Sequence, residues 1–223
     1  MHIVILSLFP QVIKPFLSES IIKRATNANY VKFTLVNWRE FASDAHQTVD
    51  DRPFGGGPGM LLMIEPIVKA IKNTEAKFGQ FHKILLSPQG SVYTQSQAVS
   101  YATKHQNLML ICGHYEGFDE RILSYVDQEL SIGQYVLGSG ESAAMVVIDS
   151  IVRLIPGVLK KPEATLNESF TKENQIDYPQ YTKPVEFQGL KVPSVLLSGN
   201  HQKISDWREI QANKKTNKKE NKN

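Results

Sequence analysis

The sequence predicts an α/β fold in which helices cover a parallel sheet. Short apolar runs alternate with helix-length segments along most of the chain, and such alternation is typical of α/β folds. Several of these runs are apolar at every position rather than at every second one, which indicates strands that are buried on both faces. Buried strands of that kind are found in parallel sheets with helices on either side.

The N-terminal elements follow from apolar patterns and from the positions of proline. "HIVILSLF" is a continuous apolar run typical of a buried strand, and Pro10 then predicts a turn. "SESIIKRATNA" predicts a short helix, and the alternating "VKFTLVNW" predicts a second strand. "EPIVKAIKNTEAKF" predicts a helix with Pro66 in its first turn, where the missing N–H is tolerated.

The same alternation continues through the middle of the chain. "KILLSPQG" predicts a strand that ends in a turn, and "TQSQAVSYATKH" predicts a helix capped by Thr94. "LMLICG" predicts another strand, followed by a helix that begins near Phe118. "QELSIGQYVL" predicts a strand and a loop, and "ESAAMVVIDSIVRLI" predicts a helix that is apolar on nearly every side and therefore buried.

The C-terminal part of the chain has a different composition. Residues 162–200 are polar and contain several prolines without clear periodicity, which is typical of a linker followed by an irregular lobe. "ISDWREIQANKK" predicts a terminal helix that frays into a lysine-rich tail. We therefore expect four parts: a domain of residues 1–160, a flexible linker of 161–175, a small and mostly helical lobe of 176–213, and a basic, disordered tail of 214–223.

Composition limits the class of protein. Hydrophobic residues make up 41% of the chain, as in ordinary globular proteins, and no apolar run is long enough to span a bilayer. The single cysteine, Cys112, lies in an apolar strand, which predicts a core residue and a reducing compartment. We expect a cytoplasmic protein without membrane contact. The net charge is +3, yet residues 201–223 hold seven of the 25 Lys and Arg and only three of the 22 Asp and Glu. Such a tail either attracts nucleic-acid phosphates or is merely solvated.

Three glycine-containing loops follow predicted strands: "LLSPQG", "CGHYEG" and "SIGQYVLGSGE". The carboxyl ends of parallel strands meet at one edge of a sheet, where ligands usually bind. The chain has no Walker motif and no G-x-G-x-x-G after a strand, so we do not expect the usual nucleotide sites. Glu141 would repel a phosphate, and the loops therefore suit a cationic or neutral ligand. The histidines show no metal-ligand spacing, and we expect no metal site.

A fourth loop, "DDRPFGGGPGM", combines two acids, an arginine, four glycines and two prolines. Glycine allows close backbone approach and proline stiffens the turn, so the loop has the composition of one that is shaped to meet a ligand. Together with "LLSPQG", "CGHYEGFDER", "SIGQYVL", "IDSIVRLIPGVL", "QYTKP" and "VPSVLLSGNH", it resembles the bacterial tRNA (guanine-N1)-methyltransferases of the TrmD type. The resemblance extends over residues 1 to about 208.

This resemblance implies a fold and a reaction that residue patterns alone do not. It implies a SPOUT-class domain in residues 1–160, with a deep trefoil knot in its C-terminal part. It implies a homodimer whose active sites are shared between subunits, S-adenosylmethionine as cofactor, and the guanine at position 37 of tRNA as methyl acceptor. It also suggests Mg²⁺ as a second cofactor. The cofactor would be held by the three strand-end loops, through Leu86, Ser87, Pro88, Gly113, Tyr115, Glu116, Gly117, Ile132, Gly133, Gln134, Tyr135, Val136, Leu137 and Gly140.

The resemblance also implies where the tRNA binds. The target guanine would meet Asp50, Arg52, Gly55 and Gly59, with His46 nearby, and the truncated C-terminal lobe would contact the tRNA backbone through Ser198 and His201. A carboxylate can accept hydrogen bonds from the N1–H and N2 edge of guanine. The alternative for part of this loop is an ion pair between Asp51 and Arg52 that only holds its shape.

Catalysis would need a cation and a base, because guanine N1 carries a proton. The resemblance assigns the cation to Arg153 and the base to Glu168 of the partner's linker. The family has an aspartate at the position of Glu168, and the neighbouring Asn167 could not act as a base.

The chain departs from the family pattern in two further places. Ser139 stands in place of a glycine, and we expect it to weaken cofactor binding through crowding or an unsuitable φ. The short, lysine-rich C-terminus would compensate for missing helices through phosphate contacts. These departures leave two alternatives open: a SPOUT enzyme that methylates a ribose 2′-hydroxyl, and an inactive RNA-binding relative. The "DDRPFGGGPG" loop favours base methylation.

Overall fold

The computed structural model describes residues 1–161, 165, 168–172 and 175–220, and it divides into two units, Met1–Lys160 and Lys161–Asn223. Asn167 and parts of the predicted linker and tail lie outside the described residues. Within the described residues, no helix has both the length and the apolar character needed to cross a bilayer.

Strands and helices alternate along the first unit. In chain order its elements are β1 (His2–Ser7), α1 (Pro10–Leu17), α2 (Ser20–Asn27), β2 (Lys32–Asn37), a 3₁₀ helix (Trp38–Phe41), β3 (Asp50–Asp51), β4 (Leu61–Leu62), α3 (Ile64–Phe78), β5 (His82–Val92), α4 (Gln95–Lys104), β6 (Asn107–Cys112), a second 3₁₀ helix (Glu120–Tyr125), β7 (Gln128–Ser131) and α5 (Gly140–Val152).

A five-stranded parallel sheet in the order β2-β1-β6-β5-β7 forms the centre of this unit. Successive side chains of a strand point to opposite faces, so Ile3 and Ile5 of β1 pack in one core while Val4 and Leu6 pack in another. Helices α1, α2, α4 and α5 contribute to the first core and α3 to the second. The predicted α/β fold with a parallel sheet is confirmed.

Cys112 is free and fully buried at the end of β6, as expected for a core residue. Thr94 caps α4 as predicted: its side chain accepts from the N–H of Gln97, and the Gln97 side chain accepts from the N–H of Thr94.

Three elements differ from the sequence prediction. Pro10 begins helix α1 instead of a turn, because proline at the first helical position loses no intrahelical hydrogen bond. The helix expected near Phe118 is a short 3₁₀ helix, Glu120–Tyr125, whose start is capped by the side chain of Asp119. Strand β5 continues through the expected turn, with a register shift between Leu86 and Ser91.

The second unit contains a small antiparallel hairpin and two helices. Its elements are β8 (Glu186–Phe187), β9 (Leu190–Lys191), α6 (Ser194–Leu197) and α7 (His201–Glu220). Helix α7 extends to Glu220, so the part of the predicted tail before residue 221 is helical. Lysine is a good helix former, and cations in the last turn are favourable at the negative end of the helix dipole.

Candidate active site

A cavity of about 390 Å³ lies at the carboxyl ends of β5, β6 and β7, where the three strand-end loops converge. Its volume falls within the range of small-molecule sites in proteins. Every predicted cofactor residue except Gln134 lines it: Leu86, Ser87, Pro88, Gly113, Tyr115, Glu116, Gly117, Ile132, Gly133, Tyr135, Val136, Leu137 and Gly140.

Several lining residues were not predicted from the sequence. They include Gln89, His114, Phe118, Glu120, Glu129, Ser131 and Gly138. Most of them lie in or directly beside the three strand-end loops, so their closeness to these loops in the sequence could have predicted that they line the cavity.

Charge in this cavity is negative. The carboxylates of Glu116, Glu120 and Glu129 belong to lining residues, and none of the described residues that line the cavity is a lysine or arginine. Opposite charges attract strongly in a partly desolvated site. The cavity therefore suits a ligand that carries positive charge.

Close backbone packing shapes the inner wall of the cavity. The N–H of Gly140 donates to the carbonyl of Gly113 at 2.9 Å, which joins the first turn of α5 to the end of β6. A Cβ atom at position 140 would lie 2.5 Å from the nitrogen of Gly113 and 2.8 Å from the Cα of Cys112. Only glycine fits at this position without movement of the backbone.

The loop after β6 contains a tight turn. Tyr115 has a φ of 57° and Gly117 a φ of 110°, and the N–H of Gly117 donates to the carbonyl of His114 at 3.1 Å. A tyrosine in the left-handed region is uncommon, and such residues concentrate at ligand-binding sites. The turn directs the loop's backbone and the exposed Tyr115 side chain toward the cavity that they line.

Glu141 forms a buried polar contact behind the cavity. Its Oε1 accepts from the hydroxyl of Ser7, and its Oε2 lies 4.0 Å from Nε2 of His114, without a hydrogen-bond partner among the described residues. Burial raises the pKa of the Cys112 thiol well above its usual value, and the negative charge of Glu141 raises it further. Glu141 therefore joins α5 to β1 through Ser7 and lies beside the loop that carries His114.

The predicted guanine loop lies between β3 and β4 and is hydrogen-bonded directly to the loop after β6, which is predicted to bind the cofactor. The N–H of Glu116 donates to the carbonyl of Met60 at 3.1 Å, and the N–H of Leu62 donates to the carbonyl of Gly117 at 2.8 Å. A Cβ atom at Gly59 would lie 2.6 Å from Oε1 of Glu116. The two predicted binding loops are therefore neighbours.

The polar residues of the guanine loop are exposed or half-buried. The N–H of Arg52 donates to Oδ1 of Asp51 at 2.7 Å, so the contact between these residues is a backbone hydrogen bond, and the alternative of an ion pair is wrong. Arg52 and Gly59 line a shallow depression with four neighbouring residues, whereas His46 lies in an exposed turn outside it.

The chain matches a family model along almost its whole length. The model for tRNA (guanine-1)-methyltransferase TrmD covers residues 1–222. The chain belongs to the TrmD family. This confirms the family that the motifs predict, and membership of a methyltransferase family implies S-adenosylmethionine as the methyl donor.

Relatives with similar sequences carry the same description. A tRNA (guanine-N(1)-)-methyltransferase of Metamycoplasma arthritidis is 50% identical over 97% of this chain and 92% of its own length. One from Geobacillus kaustophilus is 49% identical over 97% of this chain and 88% of its own length. The crystal structure of tRNA (m1G37) methyltransferase from Aquifex aeolicus has a TM-score of 0.82 and 36% identity, and it matches 98% of this chain and 92% of that one.

Ser139 stands at the N-cap of α5 in this TrmD-family chain. Its φ is −160°, which is extended backbone that any residue adopts, so the expectation of an unsuitable φ is wrong. Its place in the cavity lining leaves crowding of the cofactor as a prediction.

The remaining predicted site residues lie in different parts of the TrmD-family fold. Arg153 is the C-cap of α5 in the first unit. Glu168, Ser198 and His201 belong to the second unit. The carbonyl of Glu168 accepts from the hydroxyl of Thr171 at 2.7 Å, and His201 begins α7.

Proposed function

We propose that this chain transfers the methyl group of S-adenosylmethionine to N1 of the guanine at position 37 of tRNA. The observation that carries the proposal is the match to the TrmD family over residues 1–222. The Aquifex aeolicus relative is a tRNA (m1G37) methyltransferase, which supports the position of the target base. The glycine loop between β3 and β4 supports a base rather than a ribose as the acceptor.

The cavity fits S-adenosylmethionine in size and in charge. Its carboxylates complement a sulfonium and an ammonium group, and the strand-end loops offer backbone N–H and carbonyl groups to the rest of the ligand. When it is bound, S-adenosylmethionine supplies the methyl group, whose bond to sulfur breaks as a bond to guanine N1 forms. Leu86, Gly113 and Ile132 would hold it chiefly through their backbone atoms.

Two side chains of the chain would activate the guanine. The carboxylate of Glu168 takes the N1 proton, which frees the lone pair that attacks the methyl group. The guanidinium of Arg153 stabilises the negative charge that builds on O6 as that proton leaves. A glutamate side chain is one methylene longer than the aspartate of the family, so the rate of methyl transfer depends on where the Glu168 carboxylate lies.

Guanine recognition is assigned to the loop between β3 and β4. Asp50 and Arg52 would contact the edge of the base, and Gly55 and Gly59 would admit a base that is flipped out of its stack, with His46 nearby.

The tRNA backbone would be held by Ser198, His201 and the lysines of α7. Neutralising one lysine that binds a phosphate should lower the salt dependence of tRNA binding by about one unit of slope. Substitution of Lys214 and Lys215 by glutamine, followed by affinity measurements over a range of salt concentrations, tests the contribution of α7. An unchanged salt dependence of tRNA binding would contradict a contribution of α7 to phosphate binding.

The knot, the dimer and the shared active site are parts of the same proposal. Glu168 would act in the site of the other subunit, within a trefoil-knotted SPOUT fold in a cytoplasmic protein. We assign no residue to Mg²⁺, because no three His, Cys, Asp or Glu side chains cluster among the residues that the structure describes.

Methylation of transcripts that differ only at positions 36 and 37 tests the proposal. With labelled S-adenosylmethionine, we expect label in N1-methylguanosine when guanine occupies position 37 and none when adenine does. Label in a 2′-O-methylated ribose would identify the SPOUT ribose alternative. Binding of tRNA and cofactor without any transfer would identify the inactive relative.

Substitution of the two proposed catalytic residues tests their roles. Glu168→Gln and Arg153→Ala should each lower the single-turnover rate by about 100-fold or more, while the affinity for S-adenosylmethionine stays near that of the wild type. A nearly full single-turnover rate in Glu168→Gln would show that the base is another group.

A further inference from the structure

The C-terminal turns of α7 contact the segment that follows Glu168. The N–H of Ile176 donates to Oγ1 of Thr216 at 3.0 Å, and the same hydroxyl donates to the carbonyl of Ala212 at 2.9 Å. A hydroxyl has one donor and two acceptor sites. The Thr216 hydroxyl therefore donates its one proton to the Ala212 carbonyl within α7, and its oxygen accepts from the N–H of Ile176. Thr216 therefore holds residue 176 against α7.

A second contact reaches the same segment one turn further along α7. The ammonium of Lys219 lies 4.5 Å from the centroid of the Phe170 ring, within the range of a cation–π interaction. Phe170 has a φ of 67°, a conformation that a bulky residue keeps only when its surroundings hold it. Lys219 supplies one of the contacts that hold this residue.

Hydrogen bonds connect Phe170 and Ile176, the two residues that α7 contacts, with the segment around Glu168. The N–H of Phe170 donates to the carbonyl of Gln175 at 2.6 Å. The N–H of Asp177 donates to the hydroxyl of Ser169 at 3.0 Å. With the bond from Thr171 to the carbonyl of Glu168, these contacts tie Glu168 and its neighbours to the part of the chain that α7 holds.

We propose that Thr216 and Lys219 of α7 are positioning residues that set the place of the Glu168 carboxylate in the reaction. The inference rests on the proposed role of Glu168 as the base. Rates of proton transfer are sensitive to displacements below an ångström, so a linker held by α7 gives a faster reaction than a free one. The lysine-rich end of the chain thereby acts on the chemistry as well as on tRNA affinity.

Thr216→Val in the full-length protein tests the hydroxyl contact. Valine keeps the shape but cannot accept the N–H of Ile176, so we expect the single-turnover rate at saturating tRNA to fall about tenfold. The affinity for S-adenosylmethionine should not change. Thr216→Ser restores the hydroxyl and should restore most of the rate. Hydrogen exchange at the Ile176 amide should accelerate in Thr216→Val and not in Thr216→Ser.

Thr26→Val is the matched control for this change. Thr26 also lies within a helix and is also partly buried, and in the described part of the chain its hydroxyl donates only to the carbonyl of Ile22, at 3.0 Å. The control therefore loses the same hydroxyl and the same helical bond without loosening the linker. Its single-turnover rate should equal that of the wild type.

Lys219 is tested by variants that separate charge from the ring contact. Lys219→Met removes one positive charge together with the contact to the Phe170 ring, and it should lower the single-turnover rate at saturating tRNA. Lys104→Met, which removes one positive charge from the exposed last turn of α4, should leave that rate unchanged. Lys219→Arg, which keeps a cation over the Phe170 ring, should retain the rate.

These outcomes distinguish failure of the inference from failure of the proposed function. Wild-type single-turnover rates in both Thr216→Val and Lys219→Met, with an inactive Glu168→Gln, would overturn the positioning role alone. Equal rate losses in Thr216→Val and Thr26→Val would also overturn it. An active Glu168→Gln would instead overturn the assignment of the base, and with it the reason to position that residue.

Discussion

Gly140 connects helix α5 to the end of β6 at the inner wall of the cavity. Its N–H bonds to Gly113, and the space that a side chain would need is filled by backbone atoms of Cys112 and Gly113. Backbone cannot move aside as a flexible side chain can. The conformation of the loop after β6, which we assign to the cofactor, therefore depends on the absence of a side chain at this one position.

Gly140→Ala should lower both folding stability and cofactor affinity. Overpacking of this kind costs about 1–3 kcal/mol of unfolding free energy, and the displaced loop after β6 lines the cavity that we assign to the cofactor. Urea unfolding and titration with S-adenosylmethionine would measure the two effects. Gly138→Ala is the stability control, because a Cβ atom there would meet nothing within 4 Å. Equal stability of the two variants would contradict the close packing described for Gly140.

The sequence predicts where the cavity lies but not which contacts individual residues make in it. Glycine-rich loops after strands predicted the location of the cavity, because parallel strands bring their carboxyl ends together. The specific need for glycine at Gly140 was not predictable, since its neighbours Cys112 and Gly113 are distant in the sequence. Glu141 is 1% exposed and bonds to Ser7 of β1, a contact that depends on the sheet order and not on local pattern.

The β3–β4 loop and the loop after β6 behave as one element of the site. Backbone hydrogen bonds join Met60 and Leu62 to Glu116 and Gly117. A displacement in the loop assigned to guanine will therefore reach the loop assigned to the cofactor. Affinities for the two substrates should be coupled for this reason.

Gly59→Ala should weaken cofactor binding although Gly59 belongs to the guanine loop. The new methyl group would overlap the side chain of Glu116 and displace its carboxylate from the cavity. We expect about a fivefold higher Kd for S-adenosylmethionine, equivalent to about 1 kcal/mol. Gly56→Ala is the matched control, because Gly56 has the same φ of 81° and open space around it. Isothermal titration of both variants with S-adenosylmethionine measures this difference. Equal Kd values would contradict the coupling between the two loops.

Elements were predictable where local chemistry alone determines them. The Thr94 cap and the apolar strands β1 and β6 follow from short-range pattern, and the structure contains them as predicted. Helix α7 is longer than predicted. Its polar C-terminal half has no apolar periodicity to detect, and its contacts with Phe170 and Ile176 are tertiary.

At the scale of the whole molecule, the proposed dimer makes a quantitative prediction. Arg153→Ala and Glu168→Gln should each be inactive alone. If the base comes from the partner, unfolding and refolding an equal mixture should restore about a quarter of wild-type activity, because half of the dimers regain one of two sites. Methylation assays on the refolded mixture would measure this. No recovery, with a dimer present by light scattering, would indicate that Glu168 acts within its own subunit.

The global arrangement could be predicted from the sequence only in part. Alternating apolar segments indicate a parallel sheet, because burial on both faces leaves a compositional pattern in every strand. A knot and a subunit interface leave no such pattern, since both depend on the path of the chain or on a second copy. We propose both from the resemblance to the TrmD family.

The burial of Cys112 has a practical consequence for spectroscopy. This thiol is the only one in the chain. It is buried and burial raises its pKa, so we expect it to react slowly with maleimides, because the reactive form is the thiolate. A single cysteine introduced at an exposed position would therefore take up a fluorophore selectively without removal of the native one. The protein thus offers a ready background for distance measurements by energy transfer.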